Sequence, residues 1–138
     1  MVKSVLVMCT GNSCRSQMAE GYLRHFAGNK ARVFSAGVEQ HGLNPMAVWA
    51  MQDDGIDISF HTSNLLDDYT DIDFDFVITV CDHAQEKCPY FPFHTKRIHQ
   101  SFNDPSKFIG SPDEINREFK RVRDLIKAFC KAFVDEKL

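Results

Sequence analysis

Residues 9–16 read Cys9-Thr10-Gly11-Asn12-Ser13-Cys14-Arg15-Ser16, and the reading of this stretch decides the fold. It lies between an apolar run, Val5 to Met8, and a helical pattern that begins at Gln17. A cysteine followed after five residues by Arg15 and Ser16 is the wiring of a loop that wraps a tetrahedral oxyanion around a nucleophile. Backbone N–H groups and the positive end of the following helix point at such an anion. Arg15 adds two parallel charge-assisted hydrogen bonds. The same field favours thiolate over thiol, so Cys9 is the expected nucleophile. Thr10, Gly11, Asn12, Ser13, Cys14 and Arg15 are expected to hold the anion, with Gly11 relaxing the backbone, Cys14 forming wall, and Ser16 at the helix start. The rival reading is a buried structural cysteine in a tight turn, which leaves Arg15 without a reason to face it.

Outward from the loop, the chain is of one piece. Its 138 residues fit one domain, residues 1–138, that buries about two thirds of its unfolded surface. With 43% hydrophobic and 25% charged residues, neither disorder nor membrane spanning is expected. A net charge of -3 and the lack of a basic stripe, apart from one late helix face, argue against nucleic acid. The apolar run before Cys9 is too short for a leader, so the protein is expected in the cytoplasm, as a monomer. Five cysteines in such a chain favour reactive or metal-bound thiols over a disulfide framework.

Ser4 to Met8, Ala31 to Ala36, Asp75 to Val80 and Lys96 to His99 read as strands, the first and third nearly continuous in apolar residues, as in a sheet buried on both faces. Met18, Ala19, Tyr22, Leu23 and Phe26 fall at helical spacing, and Gly28-Asn29 stops the helix. Asn44-Pro45 opens a second helix through Met51. Ser111-Pro112-Asp113-Glu114 is a capping box for a last helix whose apolar face runs from Ile115 to Phe133, with its basic residues as a solvated outer face. Alternating strands and helices imply a three-layer α/β fold, a four-stranded parallel sheet with helices on both faces. Ligands then sit beyond the carboxyl ends of the strands, where Cys9 and Cys81 both fall.

Two further features gather there. Cys81 ends the third strand, and Cys88 follows in a polar stretch, DHAQEKCP. A relay of thiol-disulfide exchange from Cys9 to Cys81 to Cys88 is one reading. A zinc site from Cys81, Cys88 and two of His83, His94 and His99 is a second, and a pair of inert core cysteines a third. Asp104, before Pro105, is placed to protonate a leaving oxygen, though Asp-Pro is also a routine turn.

CTGNSCRSQMAEG, the SAG at Ser35 to Gly37, HGLNP from His41, GIDIS from Gly55, ITVCDHAQEKCP and the DP at Asp104 resemble the thioredoxin-coupled arsenate reductases, which share the low-molecular-weight protein tyrosine phosphatase fold. The resemblance implies a redox cascade on Cys9, Cys81 and Cys88, with arsenate as substrate, thioredoxin as donor and no required redox cofactor. It implies a Cys9–Cys81 disulfide as arsenite leaves, then a Cys81–Cys88 disulfide that reaches the surface as residues 81–93 rearrange. Glutaredoxin with glutathione is the alternative donor. A tyrosine phosphatase would share the loop and Asp104 but carry aromatic residues where this chain has Ser106 and Lys107, and a metalloid-sensing module is the non-enzymatic reading. Family members with a structural potassium ion use residues matching Asn12, Glu20 and Ser35 plus an aspartate where this chain has Asn64, so weak binding is expected. His61 matches a histidine that supports the glutamate. His99-Gln100-Ser101 stands in place of the usual His-Trp-Gly.

Overall fold

The computed structural model describes residues 2–89 and 91–138. The sheet is built around β1 (Lys3–Cys9), whose Val5, Leu6, Val7 and Met8 are wholly buried. A strand sealed on both faces must be apolar at every position, and this one is. β2 (Ala31–Gly37) pairs with it on one side and β3 (Phe76–Thr79) on the other, with β4 (Lys96–His99) at the far edge. All three pairings are parallel, in the order β2-β1-β3-β4, the four-stranded α/β sheet expected. The chain leaves β1 for one side and returns to the other, so the connections diverge at its carboxyl end, where a crevice forms. Cys9 pairs with Gly37, Met8 with Thr79, and Thr79 with His99, which brings the loops after the strands to one edge.

Three long helices cover the sheet: α1 (Arg15–Ala27), α2 (Pro45–Asp53) and, after the short α3 described below, α4 (Pro112–Lys137). α2 is capped by Asn44, whose side chain accepts from the amides of Met46 and Ala47. α4 has the expected reciprocal box between Ser111 and Glu114. It buries Phe119, Val122, Ile126, Cys130 and Phe133, the stripe that its spacing demands. α1 differs. No side chain caps its first turn, so the orphan amides there are left for something else. Gly28 ends it at φ 54, a left-handed position that favours glycine.

Two expectations are corrected. The polar stretch after Cys81, to which the sequence assigns no helix, holds a five-residue one, α3 (Asp82–Glu86), with Cys81 as its cap: the sulfur accepts from the Ala84 amide at 3.4 Å. The outer face of α4 is not all solvated. Arg123 is buried and donates to the Ala50 carbonyl at the end of α2 and to Asp53 and Asp124, so it holds two helices together. Tyr90, within the segment expected to rearrange, lies outside the described residues. Among those described, no helix is long and apolar enough to cross a membrane.

Candidate active site

The loop from Cys9 to Arg15 hangs on the segment that follows β2. The carbonyls of Cys9, Thr10, Gly11 and Ser13 accept from the amides of Val38, Glu39, His41 and Asn44, and the Gln17 side chain donates to the Asn12 carbonyl. In a trans peptide the C=O and N–H point in opposite directions. Turning these five carbonyls outward therefore turns the amides of Thr10 to Cys14 inward. They meet the uncapped start of α1 around a cavity of about 150 Å³, lined by Cys9, Thr10, Gly11, Ser13, Cys14, Arg15, His41, Asp104, Ser106 and Lys107. The arrangement is an anion cradle with a sulfur at its base.

Cys9 is buried, and its sulfur lies 2.8 Å from the Ser16 hydroxyl. Asn12 donates to that hydroxyl at 2.8 Å, which leaves the hydroxyl proton free to point at sulfur. Arg15 donates to the Phe102 carbonyl at 3.1 Å and faces Asp104 at 3.5 Å. Its guanidinium is thus positioned from outside the loop before any anion arrives. Asp104 forms the turn weighed for it and also borders the cavity. It caps the turn at Pro105–Lys107 by accepting from the Ser106 amide and hydroxyl, and its other oxygen faces the cavity through Arg15.

Gly11 and Asn12 act otherwise than expected. The left-handed backbone belongs to Asn12, at φ 48, and not to Gly11. Gly11 lacks a side chain because the His41 ring occupies the space: a Cβ there would lie 2.2 Å from His41 Nδ1. Asn12 turns its side chain away from the cavity and binds Ser16, Ser35 and the Asn64 amide beneath the loop. Only the backbone of Asn12 is available to an anion.

Cys14 lines the cavity, but burial, followed by the charges of Asp104 and Cys9, pushes its thiol far up, against the pull of Arg15. Burial does the same to Cys130 in the core of α4. In both, burial disfavours the thiolate. Cys81 stands beside the cradle, its sulfur 3.2 Å from the Thr10 hydroxyl. Cys88 lies apart, half-buried in a separate cavity against β4. The zinc reading is not supported: His99 is held by Thr79 and Asp82, and His94 by Asp73. Among the described residues no three His, Cys, Asp or Glu side chains gather as metal ligands.

The residues matched to a potassium site do come together in part. Glu20 accepts from Ser35, and Ser35 accepts from Asn12. The charge of Glu20 is met by Arg24 at 2.8 Å, with His61 at 3.7 Å. Asn12 gives its oxygen to the Asn64 amide, and the Asn64 side chain turns to Thr62 and Asp68. Because the guanidinium already supplies the positive charge and the oxygens are engaged, this set does not fit a potassium ion. His41, Ser106 and Lys107 line the cavity without having been picked as site residues. The position of His41 within HGLNP, and of the other two beside Asp104, was the available signal.

A family model described as low molecular weight phosphotyrosine protein phosphatase matches residues 4–138. An arsenate reductase of Shouchella clausii is 50% identical over 135 residues, 96% of each chain. One from Bacillus subtilis is 47% identical over 133 residues, again 96% of each. A solved arsenate reductase in its oxidized state superposes with a TM-score of 0.81 at 28% identity, covering 98% of both chains.

Proposed function

Since the chain belongs to the low molecular weight phosphotyrosine protein phosphatase family, and within it to the arsenate reductases that match it along nearly its whole length, we propose that it reduces arsenate to arsenite by a three-thiol relay. The observation that carries this reading is a second thiol at the rim of the anion cradle, Cys81 against Thr10. A hydrolase needs water there; a reductase needs sulfur.

The Cys9 thiolate attacks arsenic, an oxygen departs as water with a proton from Asp104, and a sulfur–arsenic bond forms. Cys81 then attacks the sulfur of Cys9. The electron pair of the sulfur–arsenic bond stays on arsenic, which leaves as arsenite, reduced by two electrons, while Cys9 and Cys81 are joined as a disulfide. Cys88 attacks Cys81 and frees Cys9. Cys81 caps α3 and lies against Thr10, whereas Cys88 lies beyond the helix in a separate cavity against β4, so forming the Cys81–Cys88 bond moves the segment between them and brings that bond toward a reductant. Thioredoxin is the donor in this reading, the protein works as a cytoplasmic monomer, and the electrons need no cofactor beyond thiols.

Hydrolysis of aryl phosphates would use the same Cys9, Arg15 and Asp104. Ser106 and Lys107 line the cavity where a phosphotyrosine ring would need aromatic walls, so such hydrolysis is a weak side activity. The test is arsenate-driven NADPH consumption with the thioredoxin system or the glutaredoxin–glutathione system supplied separately. Cys81→Ser and Cys88→Ser are each expected to keep oxyanion binding and lose multiple turnover. Wild-type turnover by Cys88→Ser with thioredoxin would sink the relay.

A further inference from the structure

The imidazole of His41 lines the anion cavity and lies over the loop at Gly11, which has no side chain to displace it. The His41 amide donates to the Gly11 carbonyl at 2.9 Å, so ring and loop are tied together. Nε2 of the ring meets Glu39 Oε1 at 2.8 Å. A carboxylate only accepts, so Nε2 carries the hydrogen of that pair. Nδ1 is then the nitrogen whose proton comes and goes, and it is the ring atom closest to where a Gly11 side chain would stand. Among the described residues the ring's hydrogen bond is the one to Glu39, which leaves Nδ1 open. Both side chains are half-exposed, so solvent can recharge it. The loop brings Cys9, Cys14 and Arg15 to the same cavity, the turn at Pro105–Lys107 brings Asp104 and Lys107, and the neutral Ser63 bonds the backbone of Gly11 and Gly42.

Arsenate reduction takes up more protons than Asp104 holds. Near neutral pH arsenate enters as a dianion with one proton, and arsenite leaves as the neutral acid with three. The departing water uses the dianion's own proton and one from Asp104, which leaves three unprotonated oxygens on the arsenic bound to Cys9. When Cys81 attacks, the electron pair of the sulfur–arsenic bond moves to arsenic and those oxygens become basic. Cys81 releases one proton as the disulfide forms; two more are required, and Asp104 has already given its own. Of the other cavity groups, Arg15 keeps its protons, burial makes the Cys14 thiol too weak an acid, and an ammonium such as that of Lys107 is a weaker acid than imidazolium. We propose that His41 is a second catalytic acid, giving the Nδ1 proton to an arsenite oxygen as the sulfur–arsenic bond breaks, with Glu39 as the residue that positions its ring. This rests on the reductase reading above. Solvent supplies the last proton and then recharges Nδ1. The three protons taken up cancel the charge of the dianion and of the Cys9 thiolate, arsenic gains two electrons, and each sulfur loses one.

The experiment follows the first arsenite released by the reduced full-length protein at saturating arsenate, with no reductase system, between about pH 6 and 8.5. His41→Gln keeps a hydrogen-bonding side chain that cannot titrate, and His41→Ala opens a space beside Gly11. The ring is half-exposed, so neither change disturbs the core. Both variants are expected to release arsenite about a hundredfold more slowly around neutrality. Added imidazole restores the rate of His41→Ala in proportion to its protonated fraction, strongly at about pH 6 and weakly at about pH 8.5, and leaves His41→Gln slow. A wild-type rate in either variant overturns the proposal, as does a slow His41→Ala that imidazole fails to restore or restores equally at every pH. Failure of the reductase reading looks different: the wild-type protein then releases no arsenite at all, which removes that reading and this inference together.

Discussion

Ser16 shows how one hydroxyl is given a direction. Because Asn12 donates to its oxygen, its proton is left for the sulfur of Cys9. A hydrogen bond to a charged group contributes about 1.5 kcal/mol, so Ser16→Ala is expected to slow the first chemical step roughly tenfold while oxyanion affinity is kept. Rapid-quench measurement of the first arsenite released checks it; an unchanged rate would show that the hydroxyl points elsewhere. The place of Cys9 at the cavity was legible because strand, cysteine and arginine are close in sequence. Gly11 was legible as a necessary glycine, but for the wrong reason, since the ring it makes room for lies thirty positions downstream. Arg24 meets Glu20 one turn away on the same helix, whereas Lys107 lines a cavity that exists only once distant segments meet.

At the scale of elements, Gly37 ends β2 where the anion loop passes closest. A Cβ there would lie 2.3 Å from the Glu39 carbonyl, 2.7 Å from the Asn12 amide and 2.8 Å from the Thr10 carbonyl. These are backbone atoms and cannot swing aside. Gly37→Ala is expected to cost about 2 to 3 kcal/mol, read as a lower urea midpoint, and to abolish the stabilisation that phosphate or arsenate gives. The strands and long helices followed from periodicity and caps. α3 did not, because four polar residues around a single alanine have no period to read and a cysteine is not an ordinary cap. The missing cap of α1 is the complementary case: no side chain fills its first turn, which leaves those amides to a ligand.

For the whole molecule, solvation beneath the site sets the acid limit. His61 meets Gln17 and Glu20 in the layer under the loop, and burial lowers its pKa against the pull of Glu20. The unfolded chain binds its proton more readily, so stability is full above about pH 6.5 and falls as the pH drops toward the folded value. His61→Gln is expected to flatten this decline in urea midpoints measured between about pH 7.5 and 5.5. A decline equally steep in the variant would assign it to other groups. Asp54 acts lower. Lys127 and Tyr22 hold its carboxyl below the usual range, and the support it gives between α1 and α4 is lost only as the pH falls below about 3.9.

The cap on α3 is also the second thiol of the proposed relay. A sulfur drawn into a disulfide with Cys9 would be a weaker and displaced acceptor for the Ala84 amide, so oxidation would loosen the clasp on the short helix. Electron bookkeeping and shape are then written in the same atom. On that proposal a spent enzyme would advertise itself by an unfurled segment, a fresh one would keep it furled, and a reductant that grips the unfurled form would ignore molecules with nothing to be reduced.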